Sequence, residues 1–353
     1  MKIGIAGFPG SGKTTIFNAL TGAQAQTGLG AAGAKGKENL AVIKVPDERV
    51  DKLAELHESK KRVYAEIAFV DVVGKPQAGP SKGGLDPQTL AAMRECEALV
   101  LVVRAFANPA LPQPADPVRD LGGFLAELIL SDLQPLESRR DRMKKEGGKD
   151  QEKALVARCI AHLETEQPVS RLTLSAEEHR TLAGFGLLTL KPMLCLLNQE
   201  EGDFPAGVPA AIKDHAAAAG LDLMAISGKI EMDIAALPPQ DQPEFLAALG
   251  LKAAARDRFI QAAYAKLDLI SFLTTGPDES RAWPIRRGST AQKAAGRIHS
   301  DIERGFIRAE VIPYAELVAL GSEKKAKDAG KLKVEGKEYI VQDGDVIEYR
   351  FNV

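Results

Sequence analysis

Near the amino terminus the residues Gly7-Phe8-Pro9-Gly10-Ser11-Gly12-Lys13-Thr14 follow the spacing G-x-x-x-x-G-K-[ST]. Glycines at Gly7, Gly10 and Gly12 let backbone N–H groups turn inward around phosphate oxygens. Lys13 is then placed to reach the β- and γ-phosphates, the Thr14 hydroxyl to ligate Mg²⁺, and Ser11 and Thr15 to complete the phosphate-facing stretch. Such a loop needs a strand before it and a helix after it. Lys2 to Ala6 is a short apolar run suited to a buried strand, and Thr14 to Leu20 shows helical spacing through Ile16, Phe17 and Leu20. The helix start adds its partial positive charge to the phosphate site.

Two further stretches supply the remaining chemistry. Asp71-Val72-Val73-Gly74 has D-x-x-G spacing at the end of an apolar strand, Ala65 to Val70. There an Asp contacts Mg²⁺ through water and the Gly74 N–H faces a γ-phosphate. After the apolar run Lys191 to Leu197 comes Asn198-Gln199-Glu200-Glu201, where a GTPase carries Asn-Lys-x-Asp to read guanine. Glu201 is one methylene longer than Asp, and Gln199 removes a lysine that supports the base, so guanine specificity is expected to weaken. Ser227-Gly228-Lys229, after the short strand Leu223 to Ile226, fits a loop whose backbone N–H groups approach a purine. Asn198, Glu201, Ser227 and Gly228 are therefore the base-side candidates, and Thr14 and Asp71 the metal candidates.

Between these motifs strands and helices alternate, as in a doubly wound, mostly parallel α/β sheet. Gly22 to Asn39 and Gly74 to Gly84 are too rich in glycine to bury much and are expected to be mobile loops. Val118 to Glu146 and Lys149 to Glu166, joined through Gly147 and Gly148, predict a helical hairpin inserted before the sheet resumes at Lys191. Beyond Gly276-Pro277-Asp278, short β-like runs (Trp283 to Ile285, Glu310 to Ile312, Lys331 to Val334, Ile347 to Phe351) surround a helix near Thr290 to Arg304, a small α+β module. The expected division is 1–115 with 189–275 as nucleotide-binding domain, 116–188 as hairpin, and 276–353 as C-terminal domain.

At 353 residues the chain is long enough for two or three cores. A net charge of −2 compels neither a nucleic-acid nor a membrane partner, and no apolar run approaches the ~18 residues of a membrane span. Cys96, Cys159 and Cys195 are odd in number and widely spaced, which predicts free thiols and a cytoplasmic protein. No His/Cys/Asp/Glu spacing suggests zinc, and no Ser/His/Asp set suggests a hydrolase of that class. The basic run Arg139 to Lys145 is a solvated helix face or an rRNA contact, while Arg286-Arg287-Gly288 and His299 read as a turn and a packing histidine, or as contacts to a partner.

The order of Gly7 to Thr14, Val45 to Leu53 (Val-Pro-Asp-Glu-Arg-Val-Asp-Lys-Leu), Asp71 to Gly74, Asn198 to Glu201 and Ser227 to Lys229 resembles the YchF subfamily of Obg-like P-loop NTPases. The likeness runs nearly end to end, through Asp116-Pro-Val-Arg-Asp120, Glu127 to Leu133, Gly305 to Val311 and Val341 to Val346. It implies a ubiquitin-like β-grasp (TGS) fold for the last domain, an Asn-x-x-Glu base motif used with ATP in place of GTP, and association with ribosomes or translation components. On this reading the protein is a monomeric nucleotide-binding switch, a slow ATPase (GTP possible) or a nucleotide-gated binding module with little hydrolysis. Two departures bear on the mechanism. Relatives carry a hydrophobic residue after D-x-x-G, where this chain has Lys75. They also carry a Thr shortly before the strand Leu40 to Val45, where this chain has Lys35-Gly-Lys-Glu38, leaving Thr27 as the loop's candidate sensor. Lys13 and Lys75 are the catalytic candidates. A protonated Lys75 screens phosphate charge but accepts no hydrogen bond from water, so preserved binding with slow hydrolysis is expected.

Overall fold

A computed structural model describes residues 2–22, 39–72, 85–203, 207–238, 240–251 and 254–352. Thr27, Lys35 to Glu38, Gly74 and Lys75 lie outside them, with most of both glycine-rich loops. In chain order the strands are β1 (Lys2–Ala6), β2 (Asn39–Val45), β3 (Lys61–Val63), β4 (Ala65–Asp71), β5 (Ala98–Ala105), β6 (Met193–Gln199), β7 (Asp222–Ile226), β8 (Leu269–Thr274), β9 (Glu279–Arg286), β10 (Phe306–Pro313), β11 (Lys333–Glu335) and β12 (Asp345–Phe351). They form two sheets of six, and the chain divides into two compact units, Met1–Val42 with Ala68–Phe259 and Ile43–Ile67 with Ile260–Val353.

The first sheet has the order β2-β4-β1-β5-β6-β7, and β4, β1, β5, β6 and β7 run parallel. Every residue of β6, and all of β5 but its last, is buried. Such unbroken apolar runs belong to strands covered on both faces, which is why no two-residue alternation marks them. The registers bring Asp71 beside Ile5, and Arg104 beside Asn198, so the charged and amide ends of β4, β5 and β6 share one edge with the end of β1.

The predicted hairpin is present as helices Pro117–Glu146 and Asp150–Leu163. Asp116 starts the first by accepting from the Arg119 N–H, with Pro117 in the first turn, and Gly147 at φ 81° ends it. Leu121, Phe124, Leu125 and Leu128 face the sheet core, while Leu136, Met143, Val156 and Cys159 build the hairpin's own core. A buried carboxylate joins hairpin to sheet. Asp132 accepts from Leu188 N (2.8 Å), Thr189 N (2.7 Å) and Thr189 Oγ1 (2.7 Å). The basic run is internally neutralised at several points: Arg139 pairs with Glu152, Arg140 with Glu137 and Asp141, and Lys144 with Asp141. None of the three cysteines is in a disulfide and all are buried, and burial pushes the Cys195 thiol up to about 12, leaving it a poor nucleophile.

The second sheet has the order β11-β10-β12-β8-β9-β3. β12 runs parallel to β8 between the antiparallel pairs β8/β9 and β10/β12, and helix Ala291–Ile298 packs over Phe272, Phe306 and Tyr349. This is the β-grasp arrangement. Two sequence expectations are corrected here. The single helix near Thr290 to Arg304 is two, Ala291–Ile298 and Ser300–Arg304, broken at an extended His299 (φ −161°). That histidine is exposed, and its ring Nδ1 caps the second helix at Asp301 N, so it is not a packing residue. β8 is a central strand of this sheet, and β3, drawn from the first fifth of the chain, pairs with β9 as an edge strand. At three residues with two of them exposed, β3 has too little apolar pattern to be seen in sequence.

Candidate functional site

The phosphate loop follows β1 and leads into helix Lys13–Thr21, whose first residue is preceded by Gly12 in the left-handed region with no side-chain cap. An uncapped helix start leaves N–H groups free for an anion. Gly12 has a second reason to be glycine. A Cβ there would stand 2.2 Å from Asn198 Nδ2, and at φ +88° an L side chain is strained in any case. Gly7 is as restricted, since its Cβ would meet the Val102 backbone oxygen at 2.4 Å.

Lys13 Nζ donates to the Phe8 carbonyl at 3.0 Å, folding back over the loop. Burial lowers its pKa to about 8, against the pull of Asp71. The free protein therefore holds this ammonium only partly protonated near pH 8, whereas a bound triphosphate favours the charged form and raises the pKa. Nucleotide binding at about pH 8.5 is expected to take up more than half a proton, and affinity to fall as pH rises beyond about 8. Calorimetry in buffers of different ionisation enthalpy measures the uptake, and Lys13→Met should abolish it. Observed heats that are the same in every buffer for the wild type would contradict this.

Thr14 Oγ1 donates to Asp71 Oδ2 at 2.8 Å, so the two metal candidates meet. Asp71 is fully buried and its Oδ1 has no partner among the described residues. A buried carboxylate oxygen left unpaired suits a hydrated divalent cation, and the Thr14 hydroxyl keeps its lone pairs for the same ion while donating its proton.

On the base side Asn198 is the staple. Its Nδ2 donates to the Ser11 carbonyl (3.1 Å) and its Oδ1 accepts from Gly228 N (3.0 Å), tying the phosphate loop to Ser227 and the start of helix Gly228–Ala236, where the sequence predicted a loop. Gly228 packs closely on this amide and on Thr15, the third residue of helix Lys13–Thr21. Glu201 is ion-paired with Lys229 at 2.8 Å, both partly exposed. Gln199 is buried and turns away, its Nε2 on the Gly207 carbonyl. Buried atoms without partners among the described residues gather at this edge of the sheet: Ser11 Oγ, Asp71 Oδ1, Arg104 Nη1, Gln199 Oε1 and Ser227 Oγ. Native interiors rarely leave such groups unmatched, which marks a place where a polar ligand belongs.

Sequence reasoning overlooked the segment after β5. Arg104, buried at the strand end, holds the Gln113 and Pro114 carbonyls, and Asn108 donates to the Gly10 carbonyl at 3.3 Å. Leu111 and Phe106 stand against Gly10 and Gly12. The one available signal was an arginine ending an otherwise apolar strand. Phe8 also reaches the hairpin, its ring edge-on to Phe124 at 5.3 Å.

Comparison with known proteins matches residues 2–134 to a family model described as a 50S ribosome-binding GTPase. Residues 269–352 match the model of the YchF GTPase C-terminal domain, itself described as of unknown function. The chain is 38% identical to the ribosome-binding ATPase YchF of Bacillus subtilis over 366 residues, covering 100% of both chains. It is 39% identical to that of Haemophilus influenzae over 365 residues, covering 100% of this chain and 99% of the relative. The solved structure of the Schizosaccharomyces pombe YchF GTPase superposes with a TM-score of 0.87 at 31% identity, covering 99% of this chain and 97% of that one. With relatives of this identity along its whole length and the same two-sheet fold, this chain belongs to the YchF family.

Proposed function

We propose that the protein is a nucleotide-binding switch that takes up ATP with Mg²⁺, hydrolyses it slowly, and couples occupancy to a ribosome or translation component in the cytoplasm. The observation that carries the reading is the convergence of the uncapped helix start, the Thr14–Asp71 pair and the Asn198 staple on one sheet edge. Gly7, Gly10, Ser11, Gly12 and Thr15 surround the phosphates and Lys13 neutralises them. Mg²⁺, when bound, would be held by Thr14 and Asp71 and would neutralise negative charge on the phosphates. Ser227, Gly228 and Glu201 receive the base, and Gly74 and Lys75, outside the described residues, complete the γ-phosphate side. The relatives named as ribosome-binding ATPases support the partner. The division into a nucleotide domain, an inserted hairpin and a C-terminal TGS domain belongs to the same proposal, as does a monomer.

Glu201 accepts hydrogen bonds but reaches one methylene further than the Asp that reads guanine's paired donors. Glu201→Asp is therefore expected to narrow the preference for ATP over GTP by about tenfold, close to 1.4 kcal/mol. Side-by-side ATP and GTP calorimetry on both proteins measures it, and an unchanged ratio would remove Glu201 from base recognition. The second reading, a binding module with little hydrolysis, is favoured by Lys75, which as an ammonium gives no acceptor to an attacking water. A single-turnover phosphate-release assay separates the two.

A further inference from the structure

Asn39 belongs to none of the motifs above. It is the first residue of the edge strand β2, and its side chain lies against the last residue of the neighbouring β4, where Nδ2 donates to Asp71 Oδ2 at 3.3 Å. The same oxygen accepts the Thr14 hydroxyl at 2.8 Å. Asp71 Oδ1, fully buried, has no partner among the described residues.

We propose that Asn39 is a positioning residue of the metal site, holding Oδ2 of Asp71 so that Oδ1 is presented to the water shell of a cation on Thr14. A carboxylate offers about four acceptor positions shared between two oxygens. Two donors on one oxygen fix the carboxyl plane and leave the other oxygen for a further donor, which a metal-bound water supplies. The donor type matters as well as its place. A lysine in this position would bring a competing positive charge and an aspartate a repelling negative one, whereas an amide orients the carboxylate without altering its charge. The bond spans 32 residues, linking the strand that follows the first glycine-rich loop to the D-x-x-G strand, so metal affinity and the entry into β2 are coupled.

This inference rests on the nucleotide–Mg²⁺ reading, and the test separates them. A fluorescent ATP analogue is titrated onto the full chain in EDTA and then over a Mg²⁺ series, for wild type, Asn39→Leu (similar volume, no donor) and Asn39→Gln (amide retained). Asn39→Leu should raise the Mg²⁺ half-point about tenfold while leaving metal-free affinity within about twofold, and Asn39→Gln should recover much of the shift. A wild-type half-point in Asn39→Leu overturns the role, as does an equal loss of affinity in EDTA. Wild-type binding indifferent to Mg²⁺ instead overturns the metal reading and this inference with it.

Discussion

Gly12→Ala weakens nucleotide binding at least about 100-fold, or about 2.8 kcal/mol, while far-ultraviolet circular dichroism stays that of the wild type. The methyl group would stand 2.2 Å from Asn198 Nδ2, and the residue sits at φ +88°, so either the loop flattens or the asparagine moves away. Both outcomes are costly. Flattening the loop turns N–H groups out of the phosphate cradle. Moving Asn198 releases its bonds to Ser11 and Gly228, which hold the phosphate and base sides in register. Calorimetry with ATP tests it, and an affinity within about fivefold of wild type would mean that this close approach is absent in solution. Because Asn198 is the other party to the clash, Asn198→Ala should lower affinity by itself. Gly12→Ala combined with Asn198→Ala should lose less than the two single effects summed.

Asp132→Ala destabilises the unit containing the first sheet by about 3–5 kcal/mol, without touching a nucleotide-contacting residue. Removing the carboxylate strands three buried donors at once, Leu188 N, Thr189 N and Thr189 Oγ1. Each orphaned donor costs about 1–3 kcal/mol, less than additively because the cavity relaxes. Burial pushes the Asp132 carboxyl above its ordinary value, and the three donors offset only part of that rise. Asn does not rescue, since its NH₂ replaces one acceptor oxygen with a donor facing another donor. Chemical denaturation monitored by circular dichroism measures the loss, and Asp132→Asn as stable as wild type would show that the carboxylate is not the acceptor. The consequence is structural before it is functional, because Asp132 fixes the long helix of the hairpin to the segment leading into β6, which carries Asn198.

Much of the site was legible because its parts are short-range. The phosphate loop is eight consecutive residues with a strand before and a helix after, and each piece has a local period or a required glycine. The hairpin was legible for the same reason, in two long helical runs around Gly147, with ends within a few residues of those observed. Less legible was whatever depends on a distant neighbour. Arg104, Phe106 and Asn108 share no motif, and their relevance appears only when β5 is seen to end beside the phosphate loop. His299 reads as a packing residue in sequence, yet it ends exposed as a helix cap, because the chain turns extended there.

From the sequence alone followed the family likeness that whole-length relatives confirmed, and the expectation of phosphate and Mg²⁺ binding with a weakened guanine code. Those conclusions need only residue identity and spacing, which are local properties. Tertiary structure decided the pairings. Asn198 reaches back 187 residues to Ser11, β3 joins a sheet whose other strands lie more than 200 residues away, and Asn39 meets Asp71 on the neighbouring strand. Each such contact depends on how two separately packed elements are laid side by side, and no periodicity within either element encodes that choice.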